Sequence, residues 1–283
     1  MGKLGKRAFW VGMSLLLLTL GVAEANKAEA IYRQGRALQE QGKTVEAIQK
    51  YRAAVKANPQ HRSAWSALGF LYKKKKDYKR AVYAYEKATS VTPRDATLWS
   101  NLGMARYRAG RKEEAINALK ESVAIDPKQA DAHANLGTLY RKKQDYKSAV
   151  FHLEKAVSLQ PDDALFANNL GVAYRSNKLW KQAAREFKRA IELDGKTAIY
   201  HFNLGVAYRR AKQVPLAIAA YESAVELDPN EDKAWYDLGH MYRLEKKNDK
   251  AVDAFRRYLQ LVQGNAKATA AAEEQLEALG AKP

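Results

Sequence analysis

Apolar and polar positions along this chain follow a pattern that returns every 34 residues. Within one period, large apolar residues stand three and four places apart, the spacing of one face of an amphipathic helix. One period has room for two such helices and a short turn. The heptapeptide NLGVAYR occurs at 169–175 and again at 203–209, at the same point of two neighbouring periods. The pattern therefore predicts a row of helix pairs.

A glycine holds the same place in each period. These glycines fall at even steps of 34, without an insertion: Gly35, Gly69, Gly103, Gly137, Gly171, Gly205 and Gly239. Inside a helix a glycine costs about 1 kcal/mol relative to alanine. Its recurrence therefore predicts that the second helix of each pair approaches the first closely at this point.

One set of residues carries a family resemblance, and in the second period it consists of Trp65, Leu68, Gly69, Tyr72, Ala81, Tyr85, Ala88 and Pro93. This set is similar to the signature of the tetratricopeptide repeat family. Seven repeats, starting near residues 28, 62, 96, 130, 164, 198 and 232, fill residues 26–265. The resemblance implies an all-α fold, a right-handed superhelical solenoid of seven helix-turn-helix repeats. Residues 266–283 are interpreted as a capping helix and tail.

The first 25 residues follow another pattern. Basic residues precede an uncharged, mostly apolar run at 8–23, and the sequence Ala23-Glu24-Ala25 follows it. This order predicts a secretory signal peptide and a periplasmic or secreted protein. The alternative is an inner-membrane anchor at 8–23. That run would span about 24 Å as a helix, which is short for a hydrocarbon core of about 30 Å.

Composition narrows the function classes. The chain has 283 residues and no cysteine, which excludes disulfides, thiolate metal sites and cysteine nucleophiles. The formal net charge is +18, and most of the positive charge lies beyond the N-terminal segment. Such a charge favours acidic partners.

An asparagine precedes the Leu-Gly pair in four consecutive repeats: Asn101, Asn135, Asn169 and Asn203, with Asp237 in the seventh. We call these residues the asparagine ladder. A carboxamide offers donors and an acceptor, so it can hold the backbone of an extended peptide whatever its sequence. The alternative is that the ladder only supports the repeats.

A second row of residues lies six positions after the asparagine ladder on the same predicted helices. It contains Lys73, Tyr107, Arg141, Arg175, Arg209 and Arg243, extended by Arg108 and Arg210 in the next position. We call these residues the cation row. The family's fold implies that it lines the inner, concave surface, where stacked helices would set the charges about 10 Å apart. Such a row attracts an extended anionic ligand. The alternative is a solvated basic face that complements the helix dipoles.

Apolar residues share this predicted face. They are Phe70, Met104, Val172 and Val206, together with Phe202 and Tyr236. The alternative for Phe70 and Tyr236 is packing between repeats. A groove with apolar positions and basic edges suits a peptide better than a bare polyanion.

The sequence contains no recognisable catalytic or cofactor motif. None of the five histidines stands at metal-ligand spacing, and His133 and His201 take the place that tryptophan has in other repeats, which predicts packing. Neither Gly-Lys-Thr triplet has the earlier glycine of a phosphate-binding loop. Hence we expect no catalytic residue, metal site or cofactor.

The sequence favours a non-enzymatic scaffold that binds an extended, acidic protein segment and helps assemble a complex of the cell envelope. The alternative is a periplasmic binder of an anionic polysaccharide or cell-wall polymer. A nucleic-acid partner is disfavoured, because the predicted export argues against it and no stacking platform is evident.

Overall fold

The computed structural model describes residues 24–282, and within them every regular element is an α-helix. The helices are α1 (24–40), α2 (Thr44–Ala57), α3 (Arg62–Lys74), α4 (Tyr78–Val91), α5 (Ala96–Arg108), α6 (Lys112–Ile125), α7 (Ala130–Lys142), α8 (Tyr146–Leu159), α9 (Ala164–Ser176), α10 (Trp180–Leu193), α11 (Ala198–Arg210), α12 (Val214–Leu227), α13 (Asp232–Leu244), α14 (Asn248–Leu261) and α15 (Ala266–Ala278). Apart from its last two positions, the predicted signal peptide lies outside the described residues.

The chain divides into two compact units, the first ending at Ala132 and the second beginning at His133. In the first unit, α2 to α6 pack each against its neighbour in the chain. In the second, α8 to α15 pack in the same way, and α9 also contacts α11. The predicted all-α class and the stacking of helix pairs are thus confirmed. The division into signal segment, repeats and cap stays a prediction.

The recurrent glycines lie where two helices of a pair meet. A Cβ at Gly171 would stand 2.6 Å from Cε1 of Phe187, and no real side chain tolerates that distance. The residue sixteen positions after each glycine fills this space, and all seven are almost completely buried: Tyr51, Tyr85, Leu119, Leu153, Phe187, Tyr221 and Phe255. The cost of glycine in a helix is therefore offset by burial of a large side chain.

The turn inside each pair uses a left-handed residue at one fixed position. Gly42 and Gly110 hold it in two repeats, and in the others it is held by Lys76, Gln144, Lys178, Lys212 and Lys246, with φ between 59° and 65°. After it, Asp77 and Asp145 cap the next helix by accepting backbone N–H groups. The backbone hydrogen bond from Arg80 lowers the pKa of Asp77, and the pKa of Asp145 is lowered first by the hydroxyl of Ser148 and then by its backbone N–H.

The tryptophan position joins one repeat to the turn before it. The indole N–H of Trp65 donates to the carbonyl of Pro59 at 2.8 Å, and Trp99 and Trp235 make the same bond to Pro93 and Pro229. In the sixth repeat, Nε2 of His201 lies 3.1 Å from the carbonyl oxygen of Gly195. His201 therefore keeps the hydrogen bond of the tryptophan that it replaces.

No helix within residues 24–282 has the length and apolar character needed to cross a membrane.

Candidate functional site

The cation row and the asparagine ladder form one system. Nη1 of Arg175 donates to Oδ1 of Asn203 at 2.7 Å, and Nζ of Lys73 donates to Oδ1 of Asn101 at 3.5 Å. In each case a cation near the end of one first helix reaches the ladder residue 28 positions later, on the first helix of the next repeat. The two rows, which the sequence treats separately, are thus joined by hydrogen bonds.

Asn203 is an internal support for Arg175. Its side chain is buried, and its Nδ2 donates to Oδ1 of Asn168 at 2.9 Å while its Oδ1 accepts from Arg175. A partner would therefore meet Asn203 chiefly through the arginine that it positions. Asn168, which is also buried, was missed by the sequence analysis, although it directly precedes Asn169.

Two neighbouring arginines of the second unit have no counter-ion among the described residues. Burial, and then the charge of Arg141, lower the pKa of Arg175, whose acceptor Asn203 is neutral. Arg141 is half-buried, and its guanidinium makes no ion pair or hydrogen bond within residues 24–282. Two cations that repel each other and lack a carboxylate create a local demand for an anion.

Lys73 is the equivalent cation of the first unit. Burial lowers its pKa, and its acceptor Asn101 is also neutral. Unpaired charge is therefore present in both units, in the same position of the repeat.

The row ends differently in the sixth and seventh repeats. Nη2 of Arg209 lies 3.4 Å from Oδ2 of Asp237, which also accepts from the hydroxyl of Tyr221 at 3.1 Å. This arginine is therefore already neutralised. Arg243 is exposed and donates to Oε1 of Gln275 on α15 at 2.7 Å.

The remaining predicted residues are accessible to different degrees. Arg108 and Arg210 are exposed, and Tyr107 is half-buried. Asn135 and Asn169 are half-buried, and within the described part of the chain their carboxamides make no hydrogen bond. These two asparagines are thus the ladder members that retain free donors and acceptors, and their role in binding stays a prediction.

Two histidines meet although they are 19 residues apart. Nδ1 of His133 lies 3.0 Å from Nδ1 of His152, and the ring of His152 stacks on Tyr140. His152 stands where Ala84, Ala118, Ala220 and Ala254 stand in other repeats. Among residues 24–282, no group of three or more His, Asp and Glu side chains could hold a metal ion. His133 is smaller than the tryptophan of other repeats, and His152 is larger than their alanine, so the two changes compensate each other in volume.

Two nearly isosteric substitutions should have opposite effects. In each variant, stability and the affinity for an acidic ligand should change in opposite directions. Asp237→Asn removes the counter-ion of Arg209, so we expect about 1–2 kcal/mol lower stability and tighter binding of an acidic peptide. Asn101→Asp places a carboxylate beside Lys73. We expect it to raise stability by about 0.5–1 kcal/mol and to weaken binding.

Denaturant unfolding and peptide titration measure the two effects. The double variant Asn101→Asp/Asp237→Asn serves as control, because its net charge equals that of the parent chain. If both single variants shift affinity in the direction of their net charge while the double variant matches the parent, bulk charge would also explain the data. Each single variant differs from the parent by one unit of charge. If the affinity of one variant depended more strongly on salt concentration than that of the other, the effect would belong to the individual sites.

Sequence comparisons identify the family. The model of the C-terminal domain of cilia and flagella-associated protein 70 matches residues 11–234. A tetratricopeptide repeat model matches residues 217–266. No curated protein matches the sequence.

Solved structures with the same fold agree. The C-terminal part of a TPR repeat-containing protein from Cytophaga hutchinsonii has a TM-score of 0.69 and 20% identity, over 84% of this chain and 97% of that chain. YrrB, described as a TPR protein with an unusual peptide-binding site, has a TM-score of 0.59 and 22% identity, over 69% and 100%. MamA from Desulfovibrio magneticus RS-1 has a TM-score of 0.57 and 26% identity, over 60% and 96%. The chain therefore belongs to the tetratricopeptide repeat proteins, and within them to the family of the C-terminal domain of cilia and flagella-associated protein 70.

Proposed function

We propose that the protein is a non-enzymatic scaffold that holds an extended, acidic protein segment along the cation row. The tetratricopeptide repeat fold is a protein-interaction fold, and its members generally act as scaffolds. The observation that carries the acidic preference is the pair Arg141 and Arg175, two partly buried cations without a counter-ion in residues 24–282.

The spacing of the row suits a peptide. Stacked helices lie about 10 Å apart, and an extended chain advances about 3.3 Å per residue, so every third residue would meet the next cation. Val172 and Val206 are half-buried on the same helices, next to this row. Their apolar side chains favour a peptide over a uniformly charged polysaccharide, which remains the alternative ligand.

The cellular setting of this proposal comes from the N-terminal sequence. The basic start, the apolar run at 8–23 and the Ala-Glu-Ala sequence are typical of exported proteins. We therefore propose that the scaffold works in the periplasm, in assembly of a cell-envelope complex.

The test compares acidic ligands on parent and variant chains. Arg141→Gln/Arg175→Gln keeps a hydrogen-bonding group opposite Asn203 but removes both charges. Loss of two charge-assisted contacts of about 1.5 kcal/mol each should weaken binding of a glutamate-rich peptide about 100-fold. Fluorescence anisotropy at about 0.05 M and 0.5 M salt measures affinity and its salt dependence.

A matched control removes two charges from the second helices of the same unit. Lys155 and Lys181 are exposed there, on α8 and α10. Lys155→Gln/Lys181→Gln should bind like the parent. Equal affinity of the parent chain and the row variant would contradict the proposal, and tighter binding of polyglucuronate than of the peptide would favour the polysaccharide alternative.

A further inference from the structure

A cleft of about 670 Å³ lies on α3, α5 and the start of α4, within the first unit. Its volume is in the range of ligand-binding clefts. Phe70 and Met104, which occupy the same position in neighbouring repeats, supply its apolar lining. Four cations surround them, namely Lys73, Lys74, Lys76 and Arg108. We call this the Phe70 cleft.

The charge of the Phe70 cleft is unbalanced. Its lining contains no acidic residue, and none of its four cations forms an ion pair within residues 24–282. Asp77 follows Lys76 in sequence, but it caps α4 and pairs with Arg80 instead. The cleft therefore carries a positive field that no described side chain neutralises.

Phe70 is an exposed aromatic ring in this basic setting. Its side chain is 45% exposed, and Nζ of Lys73 lies 5.8 Å from its ring centroid. The lysine covers part of the aromatic ring and leaves the rest of its apolar surface exposed. A ligand that carries both an apolar group and a negative charge therefore finds a contact for each.

The other side of Phe70 offers hydrogen-bonding groups. A second cleft of about 390 Å³ is lined there by Ser63, Ser66, Asn101 and Tyr85. Tyr85 is only 1% exposed, yet its hydroxyl has no hydrogen-bond partner among the described residues. A buried side chain with an unpaired hydroxyl at a cleft lining is a suitable contact for a peptide backbone.

We propose that the Phe70 cleft is the anchor site for one bulky apolar side chain of an acidic peptide. The apolar side chain lies on Phe70 and Met104, and carboxylates on either side of it meet Lys74, Lys76 and Arg108. This inference rests on the proposed function and adds the sequence preference of the partner.

Two labelled peptides of about nine residues test the inference, both made of glutamate, one with a central phenylalanine and one with a central serine. On the parent chain we expect at least tenfold tighter binding of the phenylalanine peptide. Phe70→Ala/Met104→Ala should remove this difference. Phe70→Leu should keep it, since an apolar surface remains. Tyr83→Ala, which removes an exposed ring on α4 outside the Phe70 cleft, should leave it unchanged.

A second variant tests the basic rim. Lys74→Gln/Lys76→Gln/Arg108→Gln should weaken both peptides at least tenfold. Lys112→Gln/Lys120→Gln/Lys128→Gln, which changes three exposed lysines elsewhere in the unit, should bind like the parent. Thermal unfolding checks that every variant is folded.

Failure of this inference differs from failure of the proposed function. Equal affinity for the two peptides, or a preference that survives Phe70→Ala/Met104→Ala, would overturn the anchor site. The proposed function would then still hold if Arg141→Gln/Arg175→Gln weakened binding. Tighter binding of polyglucuronate or anionic vesicles than of either peptide would overturn the inference as well.

Discussion

Above about pH 10 the folded protein should lose stability steeply as the pH rises. Five tyrosines contribute most to this effect. They are at most 7% exposed, and burial raises the pKa of each: Tyr51, Tyr85, Tyr174, Tyr221 and Tyr242. For Tyr51 the pKa rises to about 12. In Tyr174 and Tyr242, a hydrogen bond from the hydroxyl to Glu154 or Glu222 adds to the rise.

The sign follows from proton binding. In the unfolded chain these hydroxyls ionise near pH 10, whereas the folded protein keeps them protonated. The folded state then binds more protons, so its stability falls as the pH rises. Each tyrosine contributes about 1.4 kcal/mol per pH unit, from pH 10 until its own folded pKa is reached. Because an ordinary domain is stable by only about 5–15 kcal/mol, the combined effect of these groups should unfold the protein in alkaline solution.

Phenolate absorbance and helical circular dichroism, followed together between about pH 9 and 12, measure this transition. Accessible tyrosines should ionise first, and the buried set should ionise only as the helices unfold. Tyr85→Phe should shift the transition to higher pH at little cost in neutral solution, because that hydroxyl has no hydrogen-bond partner among the described residues. Tyr83→Phe, at an exposed position, should not shift it. Complete tyrosine ionisation with the helices intact would contradict the prediction.

The helix pairs were predictable because their cause is local and repeated. A glycine facing a large residue sixteen positions later specifies the same close contact in every repeat, so seven occurrences reinforce one interpretation. The family match and the solved structures confirm that interpretation of the fold.

Partners of the long polar side chains could not be predicted in this way. Arg141 and Asn169 occupy the same two positions as Arg175 and Asn203, yet only the second pair is hydrogen-bonded. Burial of Asn203 depends on Asn168, a residue that other repeats replace by serine, alanine or aromatic residues. The 34-residue repeat thus predicts the position of each side chain on its helix. Its hydrogen-bond partner depends on the residues of the adjacent repeats.

The Phe70 cleft illustrates the same limit. The repeat pattern predicts that Phe70 and Met104 lie on the partner-facing surface as apolar residues. It did not predict that Lys76, which lies in the turn after α3, would line the same cleft. That placement depends on the left-handed backbone of this turn, with φ of 59° at Lys76, and on the packing of α5 beside α3 and α4.

Gly171→Ala should destabilise the parent protein but stabilise a Phe187→Ala variant. In the parent, the new Cβ would lie 2.6 and 2.7 Å from two ring carbons of Phe187, a completely buried side chain. Overpacking of this kind costs about 1–3 kcal/mol, more than the gain of about 1 kcal/mol from placing alanine in a helix. Phe187→Ala alone should cost about 3–5 kcal/mol. Once the ring is gone, the helix gain remains and the clash does not.

The pair Gly137 and Leu153 is the control for this reversal of sign. A Cβ at Gly137 would lie 2.5 Å from Cγ of Leu153, but also 2.9 Å from the backbone oxygen of Ala149. Leu153→Ala removes only the first contact, so Gly137→Ala should stay destabilising in both backgrounds. Denaturant unfolding of the four variants of each pair gives the two coupling energies, and we expect about 2–3 kcal/mol for Gly171 with Phe187. If the costs of Gly171→Ala and Phe187→Ala were simply additive, the ring would not be the reason for glycine. The close approach of backbones would then explain the glycine in both repeats.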